Sequence, residues 1–130
     1  MSNKELTKKY NAMLANIEAA RIYDGRNKGV DVYICKKCGK TMYTRYKDKG
    51  VTPFTTTCRK QGCNGTMVHE NTTSENAVAK NNKTVCNWVR PTLKWLDRQR
   101  KNGNMGVVEH VLDGGLVLAE DERSEQWLTT

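Results

Sequence analysis

Cysteine stands at positions 35, 38, 58 and 63 of a 130-residue chain, as Cys35-x2-Cys38 and Cys58-x4-Cys63 with 19 residues between the pairs. Pairs spaced by two to four residues let two sulfurs converge from one tight turn. Four thiolates are a complete tetrahedral set for Zn2+ at about 2.3 Å. Such a closed set leaves no position for water, so the expected role is structural and not catalytic. Gly39, Gly62 and Gly65 fall where tight turns need left-handed or closely approached backbone. The competing chemistries are reduced structural cysteines and redox thiols. Redox work needs one activated thiolate, and nothing in the sequence marks one of the four. Cys86 lies far from both pairs, beside Trp88, and reads as a buried apolar residue. His69 follows Cys63 by six positions and is a weaker ligand candidate, since four cysteines already satisfy zinc.

The compartment bears on this choice. MSNKELTKKY lacks the apolar run of a secretory signal, and no stretch reaches the ~20 apolar residues that span a bilayer. The expectation is a cytoplasmic protein without membrane attachment. Thiols stay reduced there, which favours metal over disulfides.

The elements that must position these residues follow from patterning. Leu6, Tyr10, Met13, Leu14 and Ile17 recur at helical steps, predicting a helix over 3–24, capped by Ser2 and Glu5 and ended by Gly25. VDVYI (30–34), KTMYTRY (40–46), VTPFTTT (51–57) and GTMVHE (65–70) read as strands. KDKG (47–50) reads as the turn of a hairpin joining the second and third, with Pro53 placing the third at an edge or starting it late. NTTSENAVAKNNK (71–83) is polar and reads as a linker. Beyond it, Pro91 suits the first turn of a helix that Gly103 stops. MGVVEHVLDGG (105–115) reads as a second helix, GLVLAE (115–120) as a short strand and 121–130 as an acidic tail. The expected organisation is therefore an N-terminal helix and turn (1–29), a cysteine module (30–70), the linker (71–83), a small mostly helical module (84–120) and the tail. The fold class is α+β.

The stretch from Cys35 to Cys63 resembles zinc-ribbon proteins. That resemblance implies a small antiparallel sheet around a four-cysteine site. More narrowly, GVTPF (50–54), CRKQGCNGTM (58–67), WVRP (88–91) and EHVLDGGLVL (109–118) resemble a group of small phage-encoded proteins of uncharacterised function. That grouping implies the host cytoplasm and transfers no activity. Ribbons of transcript-cleavage factors carry an adjacent acidic pair at the hairpin tip. Here Asp48 stands alone between Lys47 and Lys49, which argues against a cleavage role.

Charge supplies the functional expectation. The net charge is +8. Residues 1–50 hold twelve Lys/Arg against five Asp/Glu, whereas residues 105–130 hold one Arg against six Asp/Glu. Lys40, Arg45, Lys47 and Lys49, with Arg59 and Lys60 at the second cysteine pair, could neutralise phosphates. Tyr43 shares a strand face with Arg45 and could stack on a base, while Met42 and Tyr46 pack inward. The first expected partner is nucleic acid or a nucleic-acid-handling complex. The alternative is a protein partner, met by the first helix, by Trp127 or by the acidic tail, which could equally fold back on the protein. A host-modulating or virion role belongs to that alternative. Trp88 and Trp95 read as core. The chain has two histidines, His69 and His110, and neither a phosphate-cradling glycine loop nor a nucleophile elbow, so no enzyme is expected. Glu109-His110 beside Gly114-Gly115 leaves open a turn serving a ligand.

Overall fold

The apolar stripe of the first helix is core. Leu6, Tyr10, Met13 and Ile17 are buried on α1 (Asn3–Glu18), whose N-cap Ser2 accepts the N–H of Glu5 at 3.1 Å. The computed structural model describes residues 1–19, 24–26, 29–74 and 85–130. Over that extent α1 ends at Glu18, capped by Ala19 and not by Gly25. Gly25 is instead packed so close to the Tyr46 ring that a Cβ would lie 2.6 Å from it. Residues 20–23 of the expected helix and 75–83 of the expected linker lie outside the described residues.

The chain is α+β. Its described strands are β1 (Val30–Cys35), β2 (Thr41–Tyr46), β3 (Thr55–Thr57), β4 (Thr66–Thr73), β5 (Val85–Val89) and β6 (Val117–Ala119). The remaining helices are α2 (Leu93–Lys101), α3 (Met105–Leu112) and α4 (Glu122–Thr129). All six strands form one mixed sheet in the order β3-β4-β1-β2-β5-β6. β1 is antiparallel to both β2 and β4, β3 is antiparallel to β4, β5 runs parallel to β2, and β6 is antiparallel to β5. With neighbours on both sides, β1 is buried at five of its six positions, Asp31 included.

Four expectations change. First, β2 and β3 do not pair. β2 takes β1 and β5 as its neighbours, so residues 51–57 cross to the far edge, and only 55–57, past Pro53, join the ladder. The KDKG segment turns toward β5 instead. The N–H of Lys47 donates to Trp88 O at 2.9 Å, and Asp48 Oδ2 accepts the N–H of Arg90 at 2.8 Å. Second, β4 continues to Thr73, three residues into the expected linker. Third, residues 84–120 add an unexpected strand, β5, beside the expected one, β6, and the acidic tail forms α4, capped by Asp121. Fourth, Pro91 precedes the N-cap Thr92 of α2 and does not lie in its first turn.

Two apolar clusters hold the sheet. In one, α1 packs with Trp95, Leu96, Val108, Val111 and Leu128 of the other helices and with Val89 and Ala119 of the sheet. The Tyr10 hydroxyl donates to Pro91 O at 2.8 Å within it. The other joins Tyr33, Met42 and Met67 to Trp88, Leu116 and Leu118, with Cys35, Cys58 and Cys63 in the same cluster. Trp88 and Trp95 are thus both core, one in each cluster. The cysteines share their core with residues of β5 and β6. No described helix is long and apolar enough to cross a membrane.

Candidate metal centre

Two turns present the cysteines. The first joins β1 to β2: the Cys35 N–H donates to Lys40 O at 2.9 Å, and the Gly39 N–H, at φ +77°, donates to Cys35 O at 3.0 Å. The second joins β3 to β4: the Cys58 N–H donates to Gly65 O at 2.9 Å, and the Cys63 N–H to Lys60 O at 3.1 Å. Gly62 takes φ +81° in that turn. Pairing of β1 with β4 sets the turns side by side, although the expected hairpin between β2 and β3 is absent.

The four Sγ atoms lie within 4.8 Å of one another. Cys35 Sγ is 3.6 Å from Cys63 Sγ, and Cys38 Sγ is 3.7 Å from Cys58 Sγ. Sulfurs at the corners of a tetrahedron about zinc stand about 3.8 Å apart. The cluster is therefore the right size for a metal ion, and the four cysteines could hold one. Backbone donors support negative sulfur: the N–H groups of Lys37 and Cys38 reach Cys35 Sγ at 3.3 and 3.4 Å, and that of Lys60 reaches Cys58 Sγ at 3.4 Å. The N–H of Cys38, with that of Lys37 behind it, holds the Cys35 thiol down to about 6. Burial pushes Cys63 up to about 11. A bound cation would deprotonate all four alike.

Gly65 is where this site is least tolerant. A Cβ there would lie 2.7 Å from Cys35 Sγ and 3.1 Å from Cys63 Sγ. Gly65→Ala must push sulfur out of place, and metal affinity should fall about 10–100-fold, the usual effect of disturbing the support of a ligand. Competition against a chromophoric chelator measures this, and unchanged affinity would contradict the placement. Neither other candidate ligand joins the cluster. His69 lies beside Asp31 and Tyr33. Cys86 is half-buried on β5, its thiol raised chiefly by burial.

The expected nucleic-acid residues fall around and beyond the metal centre. In β2, Met42 and Thr44 are buried, whereas Arg45 is exposed and Tyr43 half-buried, as alternation predicts. Lys40, Tyr43 and Arg59 line one open cavity of about 460 Å³ with Met42, Cys86 and Glu120. Arg45 donates to Asn87 Oδ1 at 3.1 Å, and Lys60 is exposed on the second turn. Lys49 lines a different cavity, with Arg26, Asp48 and Arg90. The acidic C-terminal residues fold back on the basic ones: Glu120 pairs with Arg59 at 2.8 Å, and Glu125 of α4 pairs with Lys47. That opposite-charge contact was one of two fates the charge distribution allowed. Trp127 is 57% exposed, and its ring meets Trp95 edge-on at 5.5 Å.

Glu120 and Cys86 enter the cavity through the β5 and β6 pairings, which no local signal in the sequence announces. His110 Nε2 lies 2.8 Å from Leu116 O, closing the turn after α3. No family model matches the chain, and no curated protein or solved structure matches it either. The likeness to a phage-encoded group accordingly rests on the quoted stretches alone.

Proposed function

We propose that the protein is a zinc-ribbon module, non-catalytic, that holds a basic face to nucleic acid or to a nucleic-acid-handling complex, in a phage setting. One observation carries the reading. Lys40 follows the first cysteine turn and Arg59 sits in the second, and the two line one cavity with Tyr43 between strand and solvent. Zinc on four thiolates would fix both turns, so the spacing of the two cations would be set by the metal. Cations at fixed spacing beside an aromatic ring suit phosphates flanking an unpaired base. A saturated four-thiolate ion supplies no Lewis-acid position, which supports binding over chemistry. The test is titration of zinc-loaded protein against labelled single- and double-stranded DNA and RNA, at ~50 and ~200 mM salt. Salt-sensitive binding supports the reading, and no binding at the lower salt overturns it.

The folded-back acids then compete with the nucleic acid for Arg59 and Lys47. Neutralising them with Glu120→Gln and Glu125→Gln should tighten binding by about two- to fivefold per released pair, the range of exposed ion pairs. Unchanged affinity in the double variant would remove these two cations from the binding face.

The second reading, a protein interaction module, is favoured by the exposed Trp127 ring. The apolar stripe of α1 does not add to it, because that stripe is taken up by the protein's own core. Capture of a protein partner that Trp127→Ala abolishes, with no nucleic-acid binding, would favour it.

A further inference from the structure

The stretch from Val51 to Phe54 takes no part in the metal centre or the basic face, yet it walls a second cavity. Val51, Pro53 and Phe54 form the apolar side of this space of about 300 Å³. Phe54, the only phenylalanine of the chain, is 81% exposed. Its ring meets the His69 ring edge-on at 6.3 Å, and His69 meets the buried Tyr33 ring edge-on at 5.5 Å. The polar side is Asp31, His69 and Thr72. Asp31 belongs to the central strand, and its side chain is 11% exposed. Thr72 Oγ1 donates to Asp31 Oδ1 at 2.8 Å, and His69 Nε2 lies 3.4 Å from the same oxygen. Both contacts fall on Oδ1, and neither uses Oδ2. The Tyr46 and Thr52 hydroxyls bond each other at 2.8 Å beside them.

We propose that this cavity takes one unpaired nucleobase bearing an exocyclic amino group, stacked on Phe54 and donating that amino group to Asp31. The proposal rests on the nucleic-acid reading above and names the part of the strand that enters. A carboxylate repels phosphate, so the backbone must stay outside and the base must be what fits. A flat ring suits walls of Val51, Pro53 and Phe54, and a carboxylate accepts from base amino groups as Asp and Glu do from cytosine. The volume lies at the small end of ligand pockets, about 300–1,000 Å³, ample for a base and too small for a duplex end.

The test compares d(C)12 with d(U)12, which differ at C4, amino against carbonyl, and at the neighbouring N3, acceptor against N–H donor, on the zinc-loaded full chain at ~50 mM salt. The cytosine strand should bind at least about fivefold tighter, the lower end of discrimination by a paired base contact. Asp31→Asn should erase that preference, because an amide both donates and accepts. Phe54→Ala alters an exposed ring and leaves the core untouched. It should weaken both strands about fivefold or more at unchanged metal content. Equal affinity for the two strands, with Phe54→Ala binding like the wild type in a salt-sensitive manner, would overturn this inference and leave the basic face standing. Absence of binding to either strand would overturn both.

Discussion

Withdrawal of the proposed zinc should unfold the half of the protein that holds the cysteines. Structural zinc contributes on the order of 10 kcal/mol or more to a small module, whereas a whole domain is stable by about 5–15 kcal/mol. Loss of the ion therefore removes a free energy comparable to the total. The damage should spread beyond the two turns, because Cys35, Cys58 and Cys63 sit in one cluster with Trp88, Leu116 and Leu118. Chelation under reducing conditions should abolish amide-exchange protection across β1 to β4 and expose Trp88 to solvent, seen as a red shift of its fluorescence. The helical cluster around Leu6, Trp95 and Val108 contains no cysteine, so far-ultraviolet helical signal should fall less than strand protection. Chelated protein that melts at the same temperature as untreated protein would contradict the expectation.

Reversal of the cations that the cysteine turns and β2 present should abolish the proposed nucleic-acid binding without unfolding the chain. The relevant set is Lys40, Arg45 and Arg59. Lys49 drops out because it lines another cavity; Arg59 stays because it lines the cavity with Lys40 although Glu120 pairs with it, and Lys47, which does not line that cavity, is read by the Glu125→Gln variant. Three phosphate contacts on a single strand give a salt slope near −2, so affinity should fall roughly twentyfold between ~50 and ~200 mM salt in the wild type. The variant Lys40→Glu, Arg45→Glu, Arg59→Glu should lose that binding while keeping its metal, since none of the three is a sulfur ligand. Binding that survives with the same salt slope would place the contact surface elsewhere.

The cysteine cluster was the most legible part of the sequence because its geometry is local. Two short spacings and three glycines define two turns, and those turns formed with Gly39 and Gly62 in the left-handed region and Gly65 in close approach. The α1 stripe and the inward position of Met42 were legible for the same reason, each following from a period within one element, whereas Tyr46, also expected inward, is half-buried. Long-range pairing was not. KDKG between two β-rich runs reads as a hairpin, yet β2 found β5 in parallel, pairing Tyr43 with Val85, and no local pattern encodes that choice. Asp31 shows the same blindness. Nothing in the run VDVYI announces its burial, which comes from pairing on both sides, with Thr72 and His69 as its contacts. The acidic C-terminal residues revealed their charge in sequence and their pairing with Arg59 and Lys47 only in the fold.

The most direct test of the proposed four-thiolate zinc site is metal content per chain, measured on protein purified under reducing conditions, for the wild type and for single Cys→Ser variants. One zinc per wild-type chain is expected. Serine at position 35, 38, 58 or 63 should reduce the content or sharply weaken retention against a chelator, and serine at position 86 should leave both unchanged. A wild-type chain that takes up no zinc when refolded in its presence, or that loses it only when Cys86 is replaced, would contradict the site and the function built on it.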